Sequence, residues 1–437
     1  MSQSRDWIAT ARLLRRIGFG TTGPQVDAVV SRGWSAHLDE ILDLDPDADP
    51  GAVATPMPKP ITPPLPNPSS TSNDLEAFSR EVAAQMRDLE FWWLRRMAAV
   101  EQPIHEKLTL LWHNHFATSA DKVVAAEYMG AQNQKLRTLK LGDFRTLAYA
   151  MLTDAAMGLW LDGIRNTKGA PNENLSREFM ELFTLGHANG YTEADVREGA
   201  RALTGRHITT GTETGVAPEY HDSSDKTVLG VTGNLDDGGF CDVVLGQPTS
   251  APFIAGKLWR LLASDAAPSP ETVDRLVTAY GPGRDLKALT KAVLLDPEFT
   301  TSTGTVVNTP IEWLMGIVRT LSVPIDDPDI LVEVDEVLAV MGQRPFYPPD
   351  VGGWPRGAVW LSTASTLARV WAANRLVSLG DLTSVTNAKI TSRIDAVGYL
   401  VGVGEWSARS HAALKPLSED PRRLVAAAFN TPEYLVS

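Results

Sequence analysis

LLWHNHFATS, residues 110–119, sets His113 and His115 one residue apart between Trp112 and Phe116, in a chain with only eight histidines. Imidazoles among large apolar side chains are either hydrogen-bonded core groups or ligands and proton carriers. At about 100° per residue the two point about 200° apart on a regular helix, so one ion reaches both only if the helix ends or distorts between them. Glu106 lies seven residues before His113, on nearly the same stripe. A second stretch, PNENLSREFMELFTLG, carries an apolar arc of Leu175, Phe179, Leu182 and Phe183. Measured from Leu175, Asn174, Glu178 and Glu181 fall at about 260°, 300° and 240°, flanking that arc. Carboxylates at the edge of a buried face need a cation, a proton or a dense hydrogen-bond network. Glu173 and Arg177 form an i,i+4 pair on the opposite side.

Two imidazoles and a carboxylate suit a divalent transition metal (Fe, Mn, Zn or Cu) better than Ca or Mg, which prefer oxygen alone. The expected ligands are His113, His115 and Glu178, with Glu181 beside them and Asn114 and Asn174 orienting the set. Arg177 is placed to hold a substrate carboxylate or to stabilise Glu173, and His221 in EYHDSSDKTVLG is the expected general acid or base. Three protein ligands and an open position serve hydrolysis or oxidation with dioxygen, and oxidation of a small molecule is slightly favoured. A metal-free alternative uses Glu178, Glu181 and His113 as acid and base. From a different class, the polar cluster is only a lock: Arg177, Arg197 and Arg201 pin carboxylates, and the protein is a helical scaffold for a protein partner. No GxGxxG follows a strand, and no GK[ST] loop or GxSxG elbow is present. The single cysteine, Cys241, sits in apolar GGFCDVVLG without an adjacent histidine and is discounted as a nucleophile.

The elements that must position these groups are mainly α-helical. Residues 1–41 read as an N-terminal helical segment, with Arg15 and Arg16 on the polar side of its first helix. Residues 42–74 are rich in proline and read as a linker or an arm. Residues 75–437 form the main helical domain. There, amphipathic patterns cover 75–101, the stretch after Pro103, 127–152 around a Leu141–Gly142 turn, and a helix from near Asn172 to Gly186. YTEADVREGARALTG carries Thr192 as N-cap with Asp195 three residues on, and Gly205 past the end. Residues 206–250 lose the helical period and suggest an irregular insertion with one β-hairpin. RPFYPPDVGGW supplies Phe346, Tyr347 and Trp354 as packing anchors or an apolar wall.

A net charge of −13 makes nucleic acid and anionic membranes poor partners, and no run approaches the length of a membrane span. One cysteine permits no intrachain disulfide and fits a reducing compartment. The twin arginines lack the apolar stretch an export signal needs, so the expected location is the cytoplasm.

WHNHFATS, PNENLSREFMELFTLG, YTEADVREGARALTG, HDSSDKTVLG and GQRPFYPPDVGGWP occur in this order. Together they resemble the bacterial domain-of-unknown-function family 1800, over nearly the whole chain from ARLLRRIGFG to TPEYLV. The resemblance supplies no settled chemistry. Its polar motifs fall on His113, Asn114, His115, Asn172, Glu173, Asn174, Arg177, Glu178, Glu181, His221 and Lys226, which implies a shared polar site. Members that it resembles are often exported and encoded beside a sulfatase-like partner, a setting that does not fit a cytoplasmic chain.

Overall fold

A computed structural model describes residues 3–64, 66–67, 69–301 and 306–436. Among them are twenty-five α-helices and two two-stranded antiparallel sheets. The helix Ile104–His115 lies between the two large apolar clusters of the fold. Leu110 joins one cluster, which gathers Ser72–Ala99, Pro310–Leu321, Pro328–Met341, Thr363–Leu379 and the C-terminal helices. Leu108, Leu111 and Trp112 join the other, built from Phe144–Leu152, Asp237–Leu245, Ser250–Leu262, Pro270–Tyr280 and Leu286–Leu295. Eleven of the twelve residues of Ile104–His115 are therefore buried, charged ones included.

Burying those charges requires partners. Glu106, 1% exposed, accepts from Arg96 Nε at 2.7 Å and Trp93 Nε1 at 2.8 Å. Arg137 adds Nε at 2.9 Å and Nη2 at 2.8 Å. The arginines hold its carboxyl down at about 2 despite burial. Lys107 pairs with Glu312, the N3 residue of a capping box begun by Thr309. The same S/T-x-x-acid device starts the helices at Ser72 and Glu193, with Thr71–Asp74 and Thr192–Asp195.

The N-terminal helices are part of the body: Leu13, Ile17, Leu38, Ile41 and Leu42 belong to the second cluster. Arg16 departs from expectation. It is 3% exposed rather than on the polar side of its helix, and Arg15 Nη1 donates to the carbonyl of Glu433 at 2.7 Å. The C-terminal chain thus engages Arg15, while Glu312 and Asp265 lie within electrostatic reach of Arg16. Between Trp34–Asp43 and Ser72–Ala99 there is one short helix, Pro50–Ala54, and the described residues after it, up to Thr71, form no regular element. Trp92 Nε1 donates to the carbonyl of Thr55 at 2.8 Å, and the Thr62 hydroxyl donates to Glu127 at 2.8 Å.

Within 206–250 there are two hairpins and a helix where one hairpin was expected. Arg206–Ile208 pairs with Thr214–Val216, and Lys226–Val228 with Val231–Gly233. The second turns on Leu229 and Gly230, both at positive φ, the backbone of a two-residue hairpin turn. It packs on the helix Glu193–Ala202, where Asp195 accepts from the Leu229 amide at 2.6 Å and Glu198 from the Thr227 amide at 3.1 Å. No described helix is long and apolar enough to cross a membrane.

Candidate functional site

The helix Ile104–His115 stays regular through both histidines and caps only at Phe116, so the two rings leave on different sides. His113 is 1% exposed inside an aromatic cage. Its ring centroid is 5.3 Å from Trp93, 5.4 Å from Phe346 and 5.6 Å from Trp354. Neither ring nitrogen has a hydrogen-bond partner among the described residues, and burial holds its pKa down at about 3. His115 faces Phe116, Phe144, Phe183 and Phe253 instead. Its Nε2 lies 2.9 Å from the Phe183 carbonyl, and burial, then Lys257, keep it neutral. Between them Asn114 is an anchor: its Oδ1 accepts from the Trp354 amide at 2.7 Å. Gly353 makes that approach feasible, since a Cβ there would come within 2.3 Å of the same oxygen. Phe346 and Trp354 are thus packing groups around His113.

The acidic stretch begins as an α-helix over Asn174–Glu178 and continues as a π-helix over Phe179–Thr184. The Leu185 amide bonds back to Met180, and Gly186 follows at φ 93°. The wider π turn changes the angular spacing assumed from a uniform helix, and such segments often sit at functional sites. Glu178 is half-buried and has no hydrogen-bond or ion-pair partner among the described residues. Burial, then the charge of Glu181, raise its pKa above the usual carboxylate range, against the pull of Arg177. Glu181 is differently placed: it accepts from the Tyr191 hydroxyl at 3.0 Å and contacts His187 Nδ1 through its other oxygen. Burial and this bond raise the Tyr191 pKa.

The remaining expected residues serve elsewhere. Arg177 is engaged by Glu193 at 2.7 Å through two nitrogens and by Glu173 at 2.9 Å, which leaves it a pin between helices rather than a substrate clamp. Asn174 is exposed, its amide bonded to Asn172 Oδ1 at 3.0 Å, and it orients no ligand here. Asn172 in turn donates its amide to Asn166 Oδ1 at 2.9 Å, and Asn166 Nδ2 reaches the Ala200 carbonyl at 2.7 Å. His221 Nδ1 lies 2.9 Å from the Thr204 carbonyl, past the C-terminal end of Glu193–Ala202, while Tyr191 precedes the N-terminal end. About 15 Å of helix separates those ends. Lys226, 1% exposed, bonds Asn234 at 3.0 Å. Cys241 is fully buried, and burial pushes its thiol up to about 12.

The expected ligand set His113, His115 and Glu178 is therefore not brought together. No three His, Cys, Asp or Glu side chains among the described residues form a metal-binding group. The structure instead joins Glu181 with His187 and Tyr191, and sets Glu178 within electrostatic reach of Glu181. These two lie past Gly186, where the helical pattern stops, so a wheel drawn on the helix alone misses them. A histidine six residues after Glu181, across a glycine turn, was the available signal.

No curated protein and no solved structure matches the chain. Residues 12–436 match the family described as "Protein of unknown function (DUF1800)". With that match running over nearly its entire length, the chain belongs to the DUF1800 family.

Proposed function

We propose that the chain is an enzyme that transfers a proton on a small-molecule substrate, with Glu178 as the proton-transferring group. The observation that carries this reading is the unequal treatment of two carboxylates one turn apart. Glu181 is held by Tyr191 and His187, whereas Glu178 accepts from no described group and has a raised pKa. Two titratable groups with divergent surroundings are the pattern of an acid and its charged neighbour. A raised carboxyl lies closer to working pH, where taking and returning a proton are both feasible. His187, with 81% of its side chain exposed, connects Glu181 to solvent. His113, caged by aromatic rings, has no part in this version of the metal-free mechanism.

We place the enzyme in the cytoplasm, a setting supported by the single, buried cysteine.

Metabolite profiles of a deletion strain complemented with variants test the proposal. Glu178→Gln is expected to leave the deletion pattern uncorrected while circular dichroism shows an intact fold. Correction by Glu178→Gln would refute it. Stoichiometric metal in untagged protein, lost in Glu178→Ala, would overturn the metal-free reading.

A further inference from the structure

Arg319, on Pro310–Leu321, caps the end of another helix with a single nitrogen. Its Nη1 donates to the carbonyls of Met97, Ala98 and Val100 at 3.0, 2.8 and 2.7 Å, where Ser72–Ala99 runs out. A cation there satisfies orphan carbonyls and suits the negative end of the helix. The Nε–Nη2 edge of the guanidinium is left without a hydrogen-bond or ion-pair partner among the described residues, and neither atom is sealed from solvent. That edge is the fork with which this chain holds carboxylates elsewhere. Arg145 grips Asp242 through it at 2.8 and 3.0 Å, and Arg375 grips Glu333 at 2.7 and 2.9 Å.

Arg319 lines two cavities, of about 610 Å³ and about 210 Å³, which share Gly20, Thr21, Gln25 and Glu101. Gly20, at φ 71°, packs on Gly316, one turn before Arg319; a Cβ on Gly20 would lie 3.0 Å from the Gly316 Cα. This close approach brings the start of Gly23–Arg32 to the same space as the arginine. The larger cavity carries two cations and two anions. Arg95 pairs with Asp326 at 3.9 Å, which leaves Arg319 and Glu101. Glu101 directly follows Val100, and its amide is held by Asp49, but its carboxylate has no partner among the described residues. One charge of each sign therefore stands unanswered beside one space. The smaller cavity adds the apolar side chains of Leu14, Ile17, Val29, Ile41 and Ile104, and its other cation, Arg32, is paired with Glu40. Apolar walls with a few convergent polar groups are the usual form of a small-molecule site.

We infer that Arg319 and Glu101 hold the carboxylate and the ammonium of a small zwitterion of the apolar amino-acid type, whose side chain enters the smaller cavity. The lining shares no residue with the Glu178 region, so the site stands apart from the proposed reaction. Calorimetry on the full chain tests it with leucine as the probe, against three analogues that each lack one part. These are 4-methylpentanoate without the ammonium, 3-methylbutylamine without the carboxylate, and glycine without the apolar body. Leucine is expected to bind saturably, and each analogue at least about tenfold more weakly. Arg319→Lys should weaken leucine binding by a similar factor while its ligand-free melting temperature stays close to native, because an ammonium still caps the carbonyls but offers no fork. Glu101→Gln, at an exposed position, should weaken leucine binding and spare that of 4-methylpentanoate. Absence of saturable leucine binding would overturn the inference. So would an analogue that binds as tightly as leucine, or leucine binding unchanged in either variant.

Discussion

Replacing His113 with leucine separates a caged core histidine from a ligand or proton carrier. In the folded chain the ring is 1% exposed, with both nitrogens unbonded and a pKa near 3. An unsatisfied buried polar group costs about 1–3 kcal/mol, while the shape change to leucine costs up to about 1.5 kcal/mol. His113→Leu should therefore be neutral or stabilising by about 1 kcal/mol at about pH 7.5. The second part of the prediction is its pH dependence. Because the folded pKa is depressed, only the unfolded chain binds a proton on this ring as pH falls through about 6.5, and stability is lost progressively towards pH 3. By about pH 5.5 that loss is about 1.4 kcal/mol in the native protein and absent in the variant. The advantage of His113→Leu should thus grow by about that amount on acidification. Urea unfolding of both proteins at the two pH values measures it, and the other titrating groups, including buried Glu90 and His105, cancel in the difference. A pH-independent difference, or destabilisation beyond about 2 kcal/mol at the higher pH, would show that the imidazole is bonded and refute the caged-core reading.

Other outcomes follow from the same contacts. Arg137→Leu removes the fork that closes the buried Glu106 network and should destabilise by about 3–5 kcal/mol in urea unfolding. Arg177→Gln breaks partly exposed pairs with Glu173 and Glu193, so its urea midpoint should stay close to native; a large fall would favour the scaffold reading. Thr192→Ala removes the capping box of the helix that carries the second hairpin and should cost about 1 kcal/mol, read from the same transition.

Local rules expose much of this fold in the sequence. Thr192 and Asp195 name a helix start because a hydroxyl and a carboxylate three residues apart satisfy orphan amides wherever they occur. The helical breaks around Gly142 and at Gly186 are legible for similar reasons, as the helices Ala126–Leu139, Phe144–Leu152 and Asn174–Glu178 show. What fails is inference that assumes one face per helix. Arg16 reads as a solvent group from its own helix, yet it is buried within electrostatic reach of Glu312 and Asp265, which lie far along the chain. The central helix has no solvent face at all, so its hydrophobic pattern cannot tell the side of His113 from the side of His115. The acidic stretch misleads more quietly. A switch to π geometry after Glu178 leaves composition and spacing untouched, and Glu181's partners come from beyond the helix.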